Sequence, residues 1–371
     1  MTKKPLQTVR FSPAQQQQLF YEEVTARVKA YFKEIDISPY ADARMWTKTT
    51  IMISLFVVPL VVISTGLTAG EPWLFFACWV VSALGMIGIG TSVMHDAQHG
   101  TYSRNKRVNR LMGAVLGLIG GSGVNWRIQH NVLHHTFTNI SGLDEDIETF
   151  FLMRFSPHQK RYWHHRFQHL YVWFFYMIMT LFWMTGKDFL SVLRYHKANL
   201  LKKQGFSLGG ALLQMTAVKA FYYTYILVIP ILFSGFTWGQ VILGFVLMHA
   251  IAGLVLSCIF QPAHIVEEST FVAPVEQDGK RVMENAWAIH EVENTSNFSP
   301  RNKLLTWWMG ALNFQIEHHL FTNICHVHLP AIAPIVEETA RKFGVKYNVS
   351  ERYSTAFIAH VRMLRKLGMA G

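Results

Sequence analysis

Four long apolar runs, from about Trp46 to Leu67, Trp73 to Met94, Leu212 to Phe236 and Trp238 to Phe260, constrain this 371-residue chain most. At 1.5 Å of rise per residue, each is long enough as a helix to cross a ~30 Å hydrocarbon core. With 51% hydrophobic and only 15% charged residues, the chain is too apolar for a typical soluble domain. The expected fold is all-α: an integral membrane protein with four transmembrane helices. A fifth apolar stretch, from Tyr171 to Met184, is shorter and is expected in the interface or within protein. Gly85, Gly88 and Gly90 in the second run permit close helix approach, through simple packing if nothing else.

Beside these runs lie three histidine clusters: His95 and His99 in HDAQH, His130, His134 and His135 in HNVLHH, and His318 and His319 in QIEHH. Histidines at i and i+4 share a helical face, so His95 with His99 and His130 with His134 can each aim two nitrogens at one point. Imidazole suits iron, zinc, copper and nickel. Ionisable groups at a membrane segment are costly and default to a functional reading.

The clusters share a site only if they end on one side of the membrane. Four spans satisfy that condition, whereas counting Tyr171 to Met184 as a crossing puts QIEHH opposite the others. Charge agrees: the turns at 69–72 and 234–237 hold no Lys or Arg, while Arg104, Lys106, Arg107, Arg110, Arg154, Lys160, Lys202 and Lys203 lie on the histidine side. The positive-inside rule makes that side cytoplasmic. The net charge of +11 follows from these flanking residues. It points to anionic headgroups and an acidic soluble partner, with no nucleic acid. Three cysteines without a CxxC give no disulfide framework, thiolate zinc site or iron–sulfur cluster.

Residues 1–44 lack the apolar core of a signal peptide. There Ser12-Pro13 and the following AQQQQLFYEEVTARVKAYFKEI read as a capped amphipathic helix on the cytoplasmic face. Residues 45–330 read as the membrane domain with its histidine-lined cap. Residues 331–371 read as a cytoplasmic helical segment, with Arg362, Arg365 and Lys366 on a solvated or lipid-facing surface.

Seven histidines exceed what one zinc or one facial-triad iron needs, so two metals fit better. His264 in QPAHIVEE is a credible eighth nitrogen, and Gln315 shares the helical face of His318 and His319. Gln315 is poised between ligating directly and orienting a ligand. Asp96, Asp144, Asp146 and Glu317 are candidates to hold the second ring nitrogen of the ligands, with ordinary salt bridges as the alternative. His164, His165 and His169 imitate a cluster but sit among arginines, which favours a surface or headgroup role. His249 lies ~22 Å from His264 along one helix and cannot share the site. His326 and His328 are near QIEHH, without spacing that demands a role.

HDAQH, HNVLHH followed by TFTN and GLDEDI, and QIEHHLF together resemble the membrane fatty acid desaturase family, over about Trp46 to Asn348. The glutamine opening the third cluster resembles its front-end branch. The resemblance implies two non-haem irons, O2 and two electrons, used to place a cis double bond between an existing one and the carboxyl end of a long acyl chain. That chemistry suits the residues, because an unactivated methylene offers nothing for acid–base or nucleophilic attack. A narrow apolar tunnel would exclude water and select carbons by position.

Two features depart from the family pattern. No haem-binding HPGG occurs, so electrons are expected from a separate ferredoxin or cytochrome b5 with its reductase. HHLFTN stands where many relatives have HHLFP, which leaves metal binding intact but loosens the inference about fine specificity. A bacterial inner membrane is the expected location. A di-iron hydroxylase would show nearly the same clusters; a zinc hydrolase would need fewer histidines, and a transporter would put its polar groups at the midplane.

Overall fold

The computed structural model describes residues 9–11, 15–149 and 151–370. The helices that carry the argument are α1 (Gln15–Glu34), α2 (Ala43–Ser64), α3 (Pro72–His99), α4 (123–137), α5 (168–197), α6 (Leu208–Phe233), α7 (Trp238–His264), α8 (Trp287–Asn294), α9 (Gln315–Leu320), α10 (Leu329–Lys342) and α11 (Tyr353–Met369). Five short strands accompany them: β1 (Val9–Phe11), β2 (Val275–Gln277), β3 (Lys280–Met283), β4 (Asn297–Phe298) and β5 (Val349–Ser350). The described chain is mainly helical, and α2, α3, α6 and α7 are each long and apolar enough to cross a membrane. They coincide with the four apolar runs. The chain divides into two compact units, residues 41–128 with 173–257, and residues 1–40 with 129–172 and 258–371.

The first unit holds α2, α3, α6, most of α5 and the first twenty residues of α7. Asp42 opens α2 by accepting the Arg44 N–H at 2.8 Å, and Ser207 opens α6 in the same way through Gly210. Two glycines do let α2 and α3 close on each other. A Cβ on Gly85 would stand 2.3 Å from the Phe56 backbone nitrogen, and one on Gly88 would stand 2.1 Å from the Met52 sulfur. Gly90 has room to spare. α5 extends well beyond the apolar stretch Tyr171–Met184 and is not among the helices long and apolar enough to span. It contributes Asp188 to a buried polar cluster, where Asp188 Oδ2 takes the Lys219 ammonium at 2.9 Å and Oδ1 accepts from Asn125 and Trp183. Lys219 also donates to the Gly120 carbonyl at 3.2 Å.

The second unit holds an apolar core to which α1, α8, α9 and α10 all contribute, and a smaller one of Val9, Ile140, Leu143 and Met283. Phe20, Val24, Val28 and Phe32 recur every four residues on α1, and all are buried there. The pair Ser12-Pro13, expected to open this helix, lies outside the described residues. β1 pairs parallel with β3, which pairs antiparallel with β2 across an Asp278-Gly279 turn with both φ angles positive. β4 and β5 pair parallel. The C-terminal segment folds as two helices, α10 and α11, separated at Gly344 with φ +68°. The far end of α11 is held by Arg154, whose buried guanidinium donates to the Leu367 and Ala370 carbonyls at 2.7 and 2.8 Å.

Candidate metal centre

α4 carries the middle histidine cluster, and its winding decides what the cluster can do. From Arg127 to His134 the chain is π-helical. Bonds from i to i+5 bring residues four and five apart onto one face, so His130 faces both His134 and His135. An ordinary α-helix would put His135 about 140° around the axis from His130. The His130 and His135 Nε2 atoms are 3.1 Å apart, the separation of two nitrogens bound to one ion. His318 on α9 closes the group, with its ring centroid 4.7 Å from that of His135 and 6.0 Å from that of His130.

A second group lies beside the first. His134, His264 at the end of α7 and His319 on α9 offer ring nitrogens all within 4.8 Å of one another. All three are essentially buried, and their ring centroids form a triangle of 4.8 to 5.0 Å. His264 stands alone in the sequence, just past the fourth apolar run, and is a less firm candidate there than the clusters. Gln315 opens α9, fully buried, with both head-group atoms lacking a hydrogen-bond partner.

Carboxylates orient these rings. Asp144 Oδ2 lies 3.1 Å from His134 Nδ1 and accepts the Asn139 N–H at 2.9 Å, while Asp146 is 3.5 Å from the same ring nitrogen. Burial alone would push His134 down; Asp144, aided by Asp146 and Glu291, lifts it to about 9. Burial likewise opposes the Asp144 charge, yet His134 and backbone N–H groups hold that carboxyl below its ordinary value. With its Nδ1 proton on Asp144, His134 keeps a buried Nε2 that meets no hydrogen-bond partner. A metal bound at that Nε2 would take the place of the proton that the raised pKa holds on the ring.

Glu291 on α8 was not legible from spacing. Its Oε2 lies 2.6 Å from His319 Nδ1 and accepts the Thr138 hydroxyl at 2.7 Å, and burial pushes this carboxyl well up. Asn139, at φ +60°, ties the loop down by donating to the His264 and Asn294 carbonyls at 3.0 and 3.2 Å. Glu317 turns away from the imidazoles, accepting from Asn297 at 2.8 Å and from the Tyr347 hydroxyl at 2.6 Å, and burial lifts it to about 7.

His95 and His99 belong to the other unit. They sit one turn apart on α3, just before Gly100 ends the helix with φ +80°, and their ring centroids are 4.8 Å apart. Trp126 packs edge-on against both, and Asp96 lies 3.7 Å from His95 Nδ1. The remaining histidines have other duties. His165 is buried and caps its own turn, accepting from the Tyr162 N–H and bonding the Phe151 carbonyl. His249 bonds Tyr222 and Thr180 within its unit, and His328 bonds the Tyr40 carbonyl.

Two groups of three buried imidazoles in one unit, each backed by a carboxylate or a facing ring, constitute a metal-binding architecture. The fatty acid desaturase family model matches residues 71–351. The chain belongs to the fatty acid desaturase family. It is 34% identical over 352 residues to an sn-1 linoleoyl-lipid 6-desaturase of Arthrospira platensis, covering 94% of this chain and 93% of the relative. A second sn-1 linoleoyl-lipid 6-desaturase, from Synechocystis, is 32% identical over 95% of this desaturase and 96% of the relative. An acyl-lipid (8-3)-desaturase of Physcomitrium patens is 33% identical over 98% of this chain and 74% of its own length.

Proposed function

We propose that this membrane desaturase introduces a cis double bond into a lipid-linked polyunsaturated acyl chain, on the carboxyl side of an existing double bond. Linoleoyl lipid is the first substrate to test. The twin groups of buried imidazoles carry the reading, together with relatives that act on acyl lipids. Two irons are assigned to His95, His99, His130, His134, His135, His264, His318 and His319, with Gln315 as a further ligand or an orienting group. Bound there, with O2 and two electrons, the irons would supply the oxidising power that an unactivated methylene requires.

The chain's own residues do the rest. Asp144 holds the proton at His134 Nδ1 and Glu291 orients His319 at Nδ1, so that each Nε2 is directed at metal. Burial of these groups keeps bulk water from the oxidant. Electrons come from a donor of the ferredoxin or cytochrome b5 class. The histidine side faces the cytoplasm, with residues 1–44 and 331–371 on that side, in a bacterial inner membrane.

Expression in a host supplied with linoleate, with double bonds located by mass spectrometry, tests this beside a His318→Ala control. A new carboxyl-side double bond that vanishes in the control is expected. Hydroxylated products would replace the reading with an oxygenase.

A further inference from the structure

We propose that electrons reach the metal centre through Trp287, with Tyr21 as the exposed end of the route. The inference rests on the di-iron reading above. It begins from a difficulty: His134, His264 and His319 are buried, and so is Glu291. Each double bond needs two electrons from a donor protein of the haem or iron–sulfur class. With the two electrons and two protons taken from the acyl chain, and two protons from solvent, they reduce O2 to two waters. The donor is oxidised one electron at a time and the centre is reduced, while Trp287 and Tyr21 end unchanged. Protein must bridge the gap.

Within its unit, α8 makes that bridge. The Trp287 indole N–H donates to the His135 carbonyl at 3.0 Å. One turn further along the same face, Glu291 holds His319 at 2.6 Å. α8 therefore touches the backbone of one candidate ligand and the ring of another. Trp287 is only partly buried, and Tyr21 of α1 meets it edge-on, with ring centroids 5.6 Å apart at 89°. Tyr21 is 38% exposed.

The contact is held from both sides. Gln17, one turn before Tyr21, donates to Asn285 Oδ1 at 3.0 Å and accepts the Ala286 N–H at 2.6 Å. A second aromatic near the centre makes no comparable route: Tyr347 donates to Glu317, which turns to Asn297 rather than to an imidazole.

The test injects electrons at a chosen point, so the natural donor need not be known. A ruthenium polypyridyl photosensitiser is attached to a Gln18→Cys variant of the iron-loaded protein, Gln18 being exposed on α1 three residues before Tyr21 and on its side of the helix. Reduction of the iron centre is then followed by flash absorbance. Trp287→Leu should slow injection about tenfold, a rise of ~1.4 kcal/mol in barrier, and Tyr21→Leu should slow it less. Iron content and the rate of bulk reduction by dithionite should stay at the level of the parent protein.

Unchanged injection in both variants at unchanged iron content overturns the route. If Trp287→Leu loses iron, the surface variant Tyr21→Leu decides alone, and an unchanged rate there overturns it. A parent protein that binds no iron would instead sink the di-iron reading, and the route with it.

Discussion

Two buried polar clusters, one in each unit, use similar side chains to opposite ends. In the unit that holds most of the spans, donors meet acceptors: Lys219 finds Asp188, Asn125 and Trp183 find the same carboxylate, and His249 has Thr180 on one ring nitrogen and Tyr222 on the other. In the other unit, ring nitrogens face ring nitrogens across His134, His264 and His319, with carboxylates only behind them. In the first arrangement the ammonium, the carboxylate and both nitrogens of the histidine ring have partners. The second gathers ring nitrogens around a point that a cation would fill. A buried histidine is therefore told apart by what its second nitrogen faces, since burial and membrane proximity are shared by both kinds.

Removing one histidine from each cluster should separate the two most widely. His319→Ala should abolish desaturation and lower the iron content. His249→Ala should retain iron and activity in whatever fraction stays folded, losing about 1–3 kcal/mol for the unpaired Tyr222 hydroxyl, while Thr180 keeps its bond to the residue 249 carbonyl. Product analysis with metal determination on both proteins decides, and equal loss of iron would erase the distinction.

A smaller effect is expected at the ion pair. Lys219→Met alone should cost about 3–5 kcal/mol by leaving Asp188 buried without its cation, and a Lys219→Met, Asp188→Leu double variant should recover much of it. Thermal unfolding of the single and double variants would show whether this cluster is purely structural.

Next comes pH. Burial holds His360, whose Nδ1–H donates to the Ile265 carbonyl at 2.8 Å, down at about 4 against an ordinary 6.5. The unfolded chain then binds the proton first as pH falls. Its contribution is whole above about 6.5 and lost toward 4, amounting to ~3 kcal/mol at most. Melting of the parent should fall more steeply across that window than melting of a His360→Gln variant. The mildest change is Asp144→Asn, expected to weaken metal affinity about 10- to 100-fold with the ligands intact. An unchanged affinity would remove Asp144 from the centre.

The four spans and the histidine clusters were legible because each has a local signature, in apolar length for the former and in closely spaced histidines for the latter. His264 was within reach because it follows the fourth span directly. Glu291 was not, since one acid in WAIHEVEN carries no spacing that marks it among other exposed and buried acids. The π-helical winding from Arg127 to His134 also left no trace in the sequence, although it brings His135 to the face of His130. Glu317 shows the reverse failure. Adjacency to His318 suggested a partner for a ligand, but its position on α9 turns it toward Asn297 and Tyr347. Neighbours in sequence diverge around a helix, whereas residues 28 apart, like Glu291 and His319, converge through tertiary packing.

Metal analysis of active protein, paired with Mössbauer spectroscopy of material grown on enriched iron, decides whether the buried histidines hold a di-iron centre. Two irons per chain in nitrogen-rich sites are predicted. One metal per chain, or zinc in protein that still desaturates, would rule out a di-iron centre.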